Sequence, residues 1–198
     1  MITLIRLLQA FSPMSHDLIN HFYGIVEEKE AEKKSYLLKA GKICQNVYYI
    51  KKGLIHCYIK GKEEEEITTW FMKEGDIIMS PVSLYKQSHN RQYIQCLEKC
   101  ELLYISRSQL DSIYEHHPEF NLTGRLITQK YNTLLSRYNY ITRIRRMEER
   151  YRHFLDHFPD LANRVPAKVI ASFLGMSVYH FSRLRHAGHK TNHCQPQQ

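Results

Sequence analysis

Glycine, proline and tryptophan are scarce in this 198-residue chain, at eight, six and one. That composition excludes collagen-like and low-complexity architectures. No apolar run approaches the roughly 18 residues that a membrane-spanning helix needs, so no membrane association is expected. The apolar opening MITLIRLLQAF contains Arg6 and is followed by no small-residue cleavage site, so it reads as an amphipathic first helix rather than a signal peptide. Cysteine is present five times, an odd count without framework spacing, which points to a reducing cytoplasm rather than to disulfides. The β region also lacks any His-x-His pair, offering only His56 and His89, so a cupin-type metal enzyme has no ligand set. Neither catalytic residues nor a bound metal is expected.

What is present is ordinary for a folded protein, with 43% hydrophobic and 24% charged residues, but the charge is uneven. Residues 1–106 hold 14 Lys and Arg against 13 Asp and Glu; residues 107–198 hold 14 against 7. A basic half joined to a neutral half suits a polyanion partner at one end only, although a solubilising surface would show the same excess.

After a helical start built on Leu18, Ile19, Phe22 and Ile25, and a charged stretch from Glu27 to Lys34, the first half reads as short strands. These are SYLL (35–38), NVYYI (46–50), GLIHCYI (53–59), ITTWFM (67–72), DIIM (76–79), QYIQCL (92–97) and ELLYI (101–105). Glycines 41, 53, 61 and 75 punctuate them, the pattern of a sandwich or barrel. Glu63–Glu66 reads as a solvated hairpin tip.

From Ser106 the period becomes helical. Phe120, Ile127, Leu134 and Ile141 recur every seven residues, with Gly124, Tyr131 and Tyr138 at the complementary position. This seam predicts either a helix packed on its own core or a parallel pair between two subunits, with Phe120, Ile127, Tyr131, Leu134, Tyr138 and Ile141 at the interface. Leu126 and Leu135 lie beside the seam, where the reading turns them toward the β domain.

Residues 165–187, VPAKVIASFLGMSVYHFSRLRHA, predict a helix–turn–helix. Pro166 opens the first helix, Gly175 supplies the left-handed turn and Ser177 caps the second. Ala171 allows the close crossing, and Ile170, Leu174, Met176, Phe181 and Leu184 face inward. Lys168, Ser177, Tyr179, His180, Ser182, Arg183 and Arg185 remain for phosphates and base edges, a set that an inert αα-hairpin does not need.

These pieces in this order resemble the Crp/Fnr family of bacterial transcription regulators, and particularly its divergent Bacteroidetes-type members. The anchors are YYIKKG (48–53), EGDII (74–78), the seam helix, ERYRHFL (149–155) and RVPAKVIASFLGMS (164–177). The resemblance implies an α+β fold in three parts. They are a double-stranded β-helix or jelly roll of the cyclic-nucleotide-binding type (1–117), a long dimerisation helix (118–141) and an all-α DNA-binding domain (142–198). By it, Arg183 matches a guanine-reading arginine, while Val178 and Tyr179 replace the family's other two base readers, so the operator does not transfer. Little sequence follows Arg185 for the β-hairpin wing of many members, so either the wing is absent or phosphate contacts come from Arg143–Arg152.

The implied effector site is altered. Met79 and Ser80 stand where the cyclic-nucleotide cassette has Gly-Glu, Pro81 removes a backbone donor, and Arg91 is followed by Gln92-Tyr93 instead of Ser-Ala. Met79, Ser80, Val82, Ser83, Arg91 and Tyr131 form the candidate pocket; cyclic AMP is not expected in it, and the effector is either another small molecule or none. Cys44, Cys57, Cys96 and Cys100 do not match an iron–sulfur cluster. His153 with His157, and the tail His186, His189, His193 and Cys194, lack a complete ligand geometry. The expectation is a non-enzymatic homodimer that reads an inverted repeat in double-stranded DNA, with RNA polymerase as a further candidate partner. The rival is a ligand-binding sensor or structural dimer whose C-terminal hairpin contacts protein.

Overall fold

Alternating Tyr, Ile and Val segments cut by glycine turns give two four-stranded antiparallel sheets in a computed structural model that describes residues 1–191, with side chains to His186. Helices α1 (Ile2–Gln9) and α2 (His16–Ile25) precede β1 (Glu27–Ala31), β2 (Tyr36–Leu38), β3 (Asn46–Lys52), β4 (Ile55–Lys60), β5 (Glu66–Met72) and β6 (Ile77–Ile78). Then come α3 (Pro81–Lys86), β7 (Tyr93–Cys96), β8 (Cys100–Ser106), α4 (Arg107–His116) and α5 (Phe120–Arg143). Four further helices follow: α6 (Met147–His157), α7 (Pro159–Arg164), α8 (Ala167–Phe173) and α9 (Val178–Thr191). This is the α+β, jelly-roll-like fold with C-terminal helices that the sequence predicts.

One sheet runs β1-β8-β3-β6 and the other β2-β7-β4-β5. Their apolar faces bury Ile50, Ile55, Ile78, Ile94, Leu102 and Leu103, each contributing about 1.5–3 kcal/mol. Gly53 is indispensable in shape: its φ is +116°, and any Cβ there collides with Cys100.

The charged stretch Glu27–Lys34 corrects the strand list, because its first five residues form β1, paired with β8 from Glu27↔Tyr104 to Ala31↔Cys100. It escapes a hydrophobic search because only Ala31 is buried. An outer strand carrying Glu and Lys is protected against pairing with other chains. Lys99 holds it with a 2.7 Å ion pair to Glu30.

The chain divides into two compact units, Met1–Ile59 with Trp70–Thr133, and Lys60–Thr69 with the chain from Leu134 onward. In the second, Phe154, Leu161, Ile170, Phe173, Leu174 and Phe181 are buried, and Tyr138 packs on Phe158 and edge-on to Phe173.

Candidate nucleic-acid interface and effector cleft

Pro166 is the N-cap of α8, whose C-cap is Leu174. Gly175 then takes φ +62°, and the Met176 N–H donates to the Ala171 carbonyl at 3.0 Å, closing the turn. The Ser177 Oγ accepts from the His180 N–H at 3.2 Å, which caps α9. Ile170, Ala171, Leu174 and Phe181 are buried, with Met176 and Leu184 half-buried. Lys168, Ser177, Tyr179, His180, Arg183 and Arg185 are exposed and Ser182 is half-buried. Arg183 lies over the Tyr179 ring, 5.8 Å from its centroid. From Leu161 to Gln198 the sequence has no acidic residue, so nothing on this stretch opposes an anion.

Two positioning side chains were invisible to pattern reading. Arg150 on α6 donates from Nε at 2.9 Å and Nη2 at 2.7 Å to the Ile144 carbonyl, and from Nη1 to the Leu174 carbonyl. It ties the break between α5 and α6 to the end of α8. Ser172 on α8 accepts from the Thr68 N–H and donates to the Glu66 carbonyl. Arg and Ser at helix surfaces carry no periodic signal, and only the folded chain brings these partners together.

Part of the α5 seam packs against its own chain. Phe120 stacks edge-on against Phe22 at 5.4 Å, Ile127 and Tyr131 pack on the β core, and Tyr138 and Ile141 are buried. Gly124 lies so close to Tyr114 that a Cβ there would have to displace the Tyr114 ring. Phe120, Tyr138 and Ile141 are thus buried within their own chain, while Ile127, Tyr131 and Leu134 are half-buried. Leu135, expected to face the β domain, is 45% exposed.

The expected effector set also fails to converge. Val82 is 65% exposed and Arg91 is exposed. Ser80 and Ser83 are buried and committed: the Ser80 Oγ donates to Asn90 at 3.1 Å, and the Ser83 Oγ accepts from the Cys44 N–H at 2.9 Å and donates to the Ser88 carbonyl at 2.7 Å. The Tyr131 hydroxyl accepts from the Ile77 N–H at 2.6 Å, and burial pushes its pKa up. Of the six, Met79 alone borders a cleft of about 380 Å³, together with Leu38, Lys39, Lys42, Ile43 and Tyr48.

The cysteines Cys44, Cys57, Cys96 and Cys100 are buried and in no disulfide, and burial pushes the Cys57 thiol up to about 12. Among the described residues no group of three or more His, Cys, Asp or Glu is arranged to hold a metal. His153 and His157 stand ring to ring at 6.2 Å. The side chains of His189, His193 and Cys194 lie outside the described residues. No helix among the described residues is long and apolar enough to cross a membrane.

The two four-stranded sheets and the helix–turn–helix of α8 and α9 are the elements found in solved structures of the Crp/Fnr type. Residues 28–117 match the cyclic nucleotide-binding domain family. The cAMP-activated global transcriptional regulator CRP of Salmonella typhimurium is 26% identical over 108 residues, covering 54% of this chain and 51% of that protein. The chain thus spans about half the length of the curated relatives it matches. The c-di-GMP responsive global regulator CLP of Xanthomonas campestris superposes with a TM-score of 0.70 at 14% identity, over 93% of this chain and 96% of that one. A transcriptional regulator of the crp/fnr family from Eubacterium rectale gives 0.67 at 16%, over 86% and 82%. These matches bear out the resemblance to Crp/Fnr regulators that the sequence carries.

Proposed function

We propose that this chain is a sequence-specific, DNA-binding transcription regulator that acts as a homodimer, with an effector site that does not take cyclic AMP. The observation that carries the reading is the face of α9, where Tyr179, His180 and Arg183 stand exposed behind a capped, tightly turned helix–turn–helix. Such a face fits a major groove, and its basic excess suits phosphates. Dimerisation uses the outer side of α5, not the side the heptad marks. Leu122, Leu126, Gln129, Thr133, Ser136 and Tyr140 recur there at alternating spacings of four and three, with Leu122 43% and Tyr140 60% exposed. The absence of cyclic AMP rests on Ser80 and Ser83 being committed within the chain and on the missing cassette glutamate.

Affinity for random duplex DNA at several salt concentrations tests this reading. A groove-binding dimer loses affinity linearly on a log–log plot. Negligible binding at low salt removes the reading and favours a hairpin that contacts protein, for which the exposed Val178 and Tyr179 offer an apolar start.

A further inference from the structure

The segment that the resemblance assigns to phosphate binding is occupied with a different task. Reciprocal backbone hydrogen bonds join Gly41 N–H to the Asn90 carbonyl at 2.7 Å and Asn90 N–H to the Lys42 carbonyl at 3.0 Å. The His89 ring meets the Gly41 carbonyl at 2.9 Å, and the Ser83 hydroxyl holds the Cys44 N–H. The β2–β3 loop is therefore pinned along its length by residues 83–90. That loop forms one wall of the 380 Å³ cleft and carries Lys39 and Lys42, both exposed. Lys39 lies 5.0 Å from the Tyr36 ring centroid, and neither lysine has a carboxylate partner among the described residues. The cleft is further lined by the apolar side chains of Leu38, Ile43, Met79 and Ile94, with the Tyr48 hydroxyl accepting from the Asn46 amide at 3.2 Å.

We infer that this cleft, and not the cassette arginine, binds the effector, and that the effector is a small organic anion with an apolar body. The inference rests on the proposed regulator function. Two cations on the pinned loop fix the anionic end, and the apolar lining takes the rest. The volume falls in the lower part of the roughly 300–1,000 Å³ range of small-molecule sites, which suits a compact aryl or alkyl acid.

The test uses the full chain and two probes of one shape, 4-phenylbutyrate and its uncharged amide, titrated by calorimetry. The carboxylate should bind at least about tenfold more tightly than the amide, and Lys39→Gln/Lys42→Gln should abolish that difference without moving the melting temperature. Ile43→Trp, which fills the cleft from its half-buried wall, should weaken both probes, while Arg91→Gln should change neither. Equal affinity of acid and amide, no binding of either, or loss of the acid on Arg91→Gln overturns the inference. DNA affinity is measured in parallel on the probe-free protein. DNA binding without probe binding overturns the cleft alone, and probe binding without DNA binding overturns the regulator function alone.

Discussion

The Ser172 hydroxyl bridges two backbone groups of one strand, accepting from Thr68 N–H at 2.9 Å and donating to the Glu66 carbonyl at 2.5 Å. β5 is the outer strand of its sheet, so no further strand competes for those groups. The Ser172 side chain thereby satisfies the outward-facing Thr68 N–H and Glu66 carbonyl.

Removing that hydroxyl returns both groups to water. Ser172→Ala is expected to cost about 0.5–1.5 kcal/mol and to speed hydrogen exchange at the Thr68 amide far more than at the Ile50 amide in the roll. Unchanged protection at Thr68 contradicts the bridge.

Arg150 uses a planar fork that lysine cannot copy. Arg150→Ala should lower stability by about 1.5–3 kcal/mol in urea titrations, since the Ile144 and Leu174 carbonyls lose charged donors. Arg150→Lys should recover less than half of the loss. Full recovery by lysine contradicts the fork geometry.

The two sides of α5 separate under mutation. Ile141→Ala, inside the second unit's core, should cost about 2–5 kcal/mol with association unchanged under folding conditions. Leu126→Glu with Tyr140→Glu should leave stability within about 1 kcal/mol and shift sedimentation to monomer. A dimer that survives the double change refutes the outer seam.

Glu119 accepts from Ser15 N–H at 3.2 Å and Ser15 Oγ at 2.6 Å, which holds its carboxyl below the ordinary value of 4.5. A depressed folded-state pKa contributes stability above the unfolded value, and that contribution is lost as pH falls through the folded one. Melting temperatures below pH 4.5 should therefore fall more steeply for the native chain than for Glu119→Gln. Parallel acid limbs contradict this.

Seven strands, the turn at Gly175 and the inward residues of α8 and α9 were legible because each depends on local period or backbone geometry. β1 was not, since an outer strand with one buried residue has no hydrophobic signature. The α5 heptad was visible but ambiguous: Phe120 and Ile141 show the same spacing whether they meet a second chain or Phe22 and the helices of their own. The cleft was illegible for a further reason. Lys39 and Met79 are far apart in sequence, and contacts such as the Gly41–Asn90 pairing that hold the loop against residues 83–90 appear only in the folded chain.

If the α9 face reads DNA as proposed, Arg183→Ala should cost about 1–3 kcal/mol of binding and relax preference at one base pair, while Lys168→Ala should weaken all sequences alike. If Arg183→Ala binds its operator unchanged, the reading face is misassigned.

Selection of bound duplexes from a random library puts the central claim at greatest risk. The native chain should enrich an inverted repeat whose half-site centres lie about one helical turn, roughly 34 Å, apart, and Arg183→Ala should erase a base from each half. Recovery of unenriched duplexes, or of a single unrepeated site, contradicts a symmetric pair of groove-reading helices.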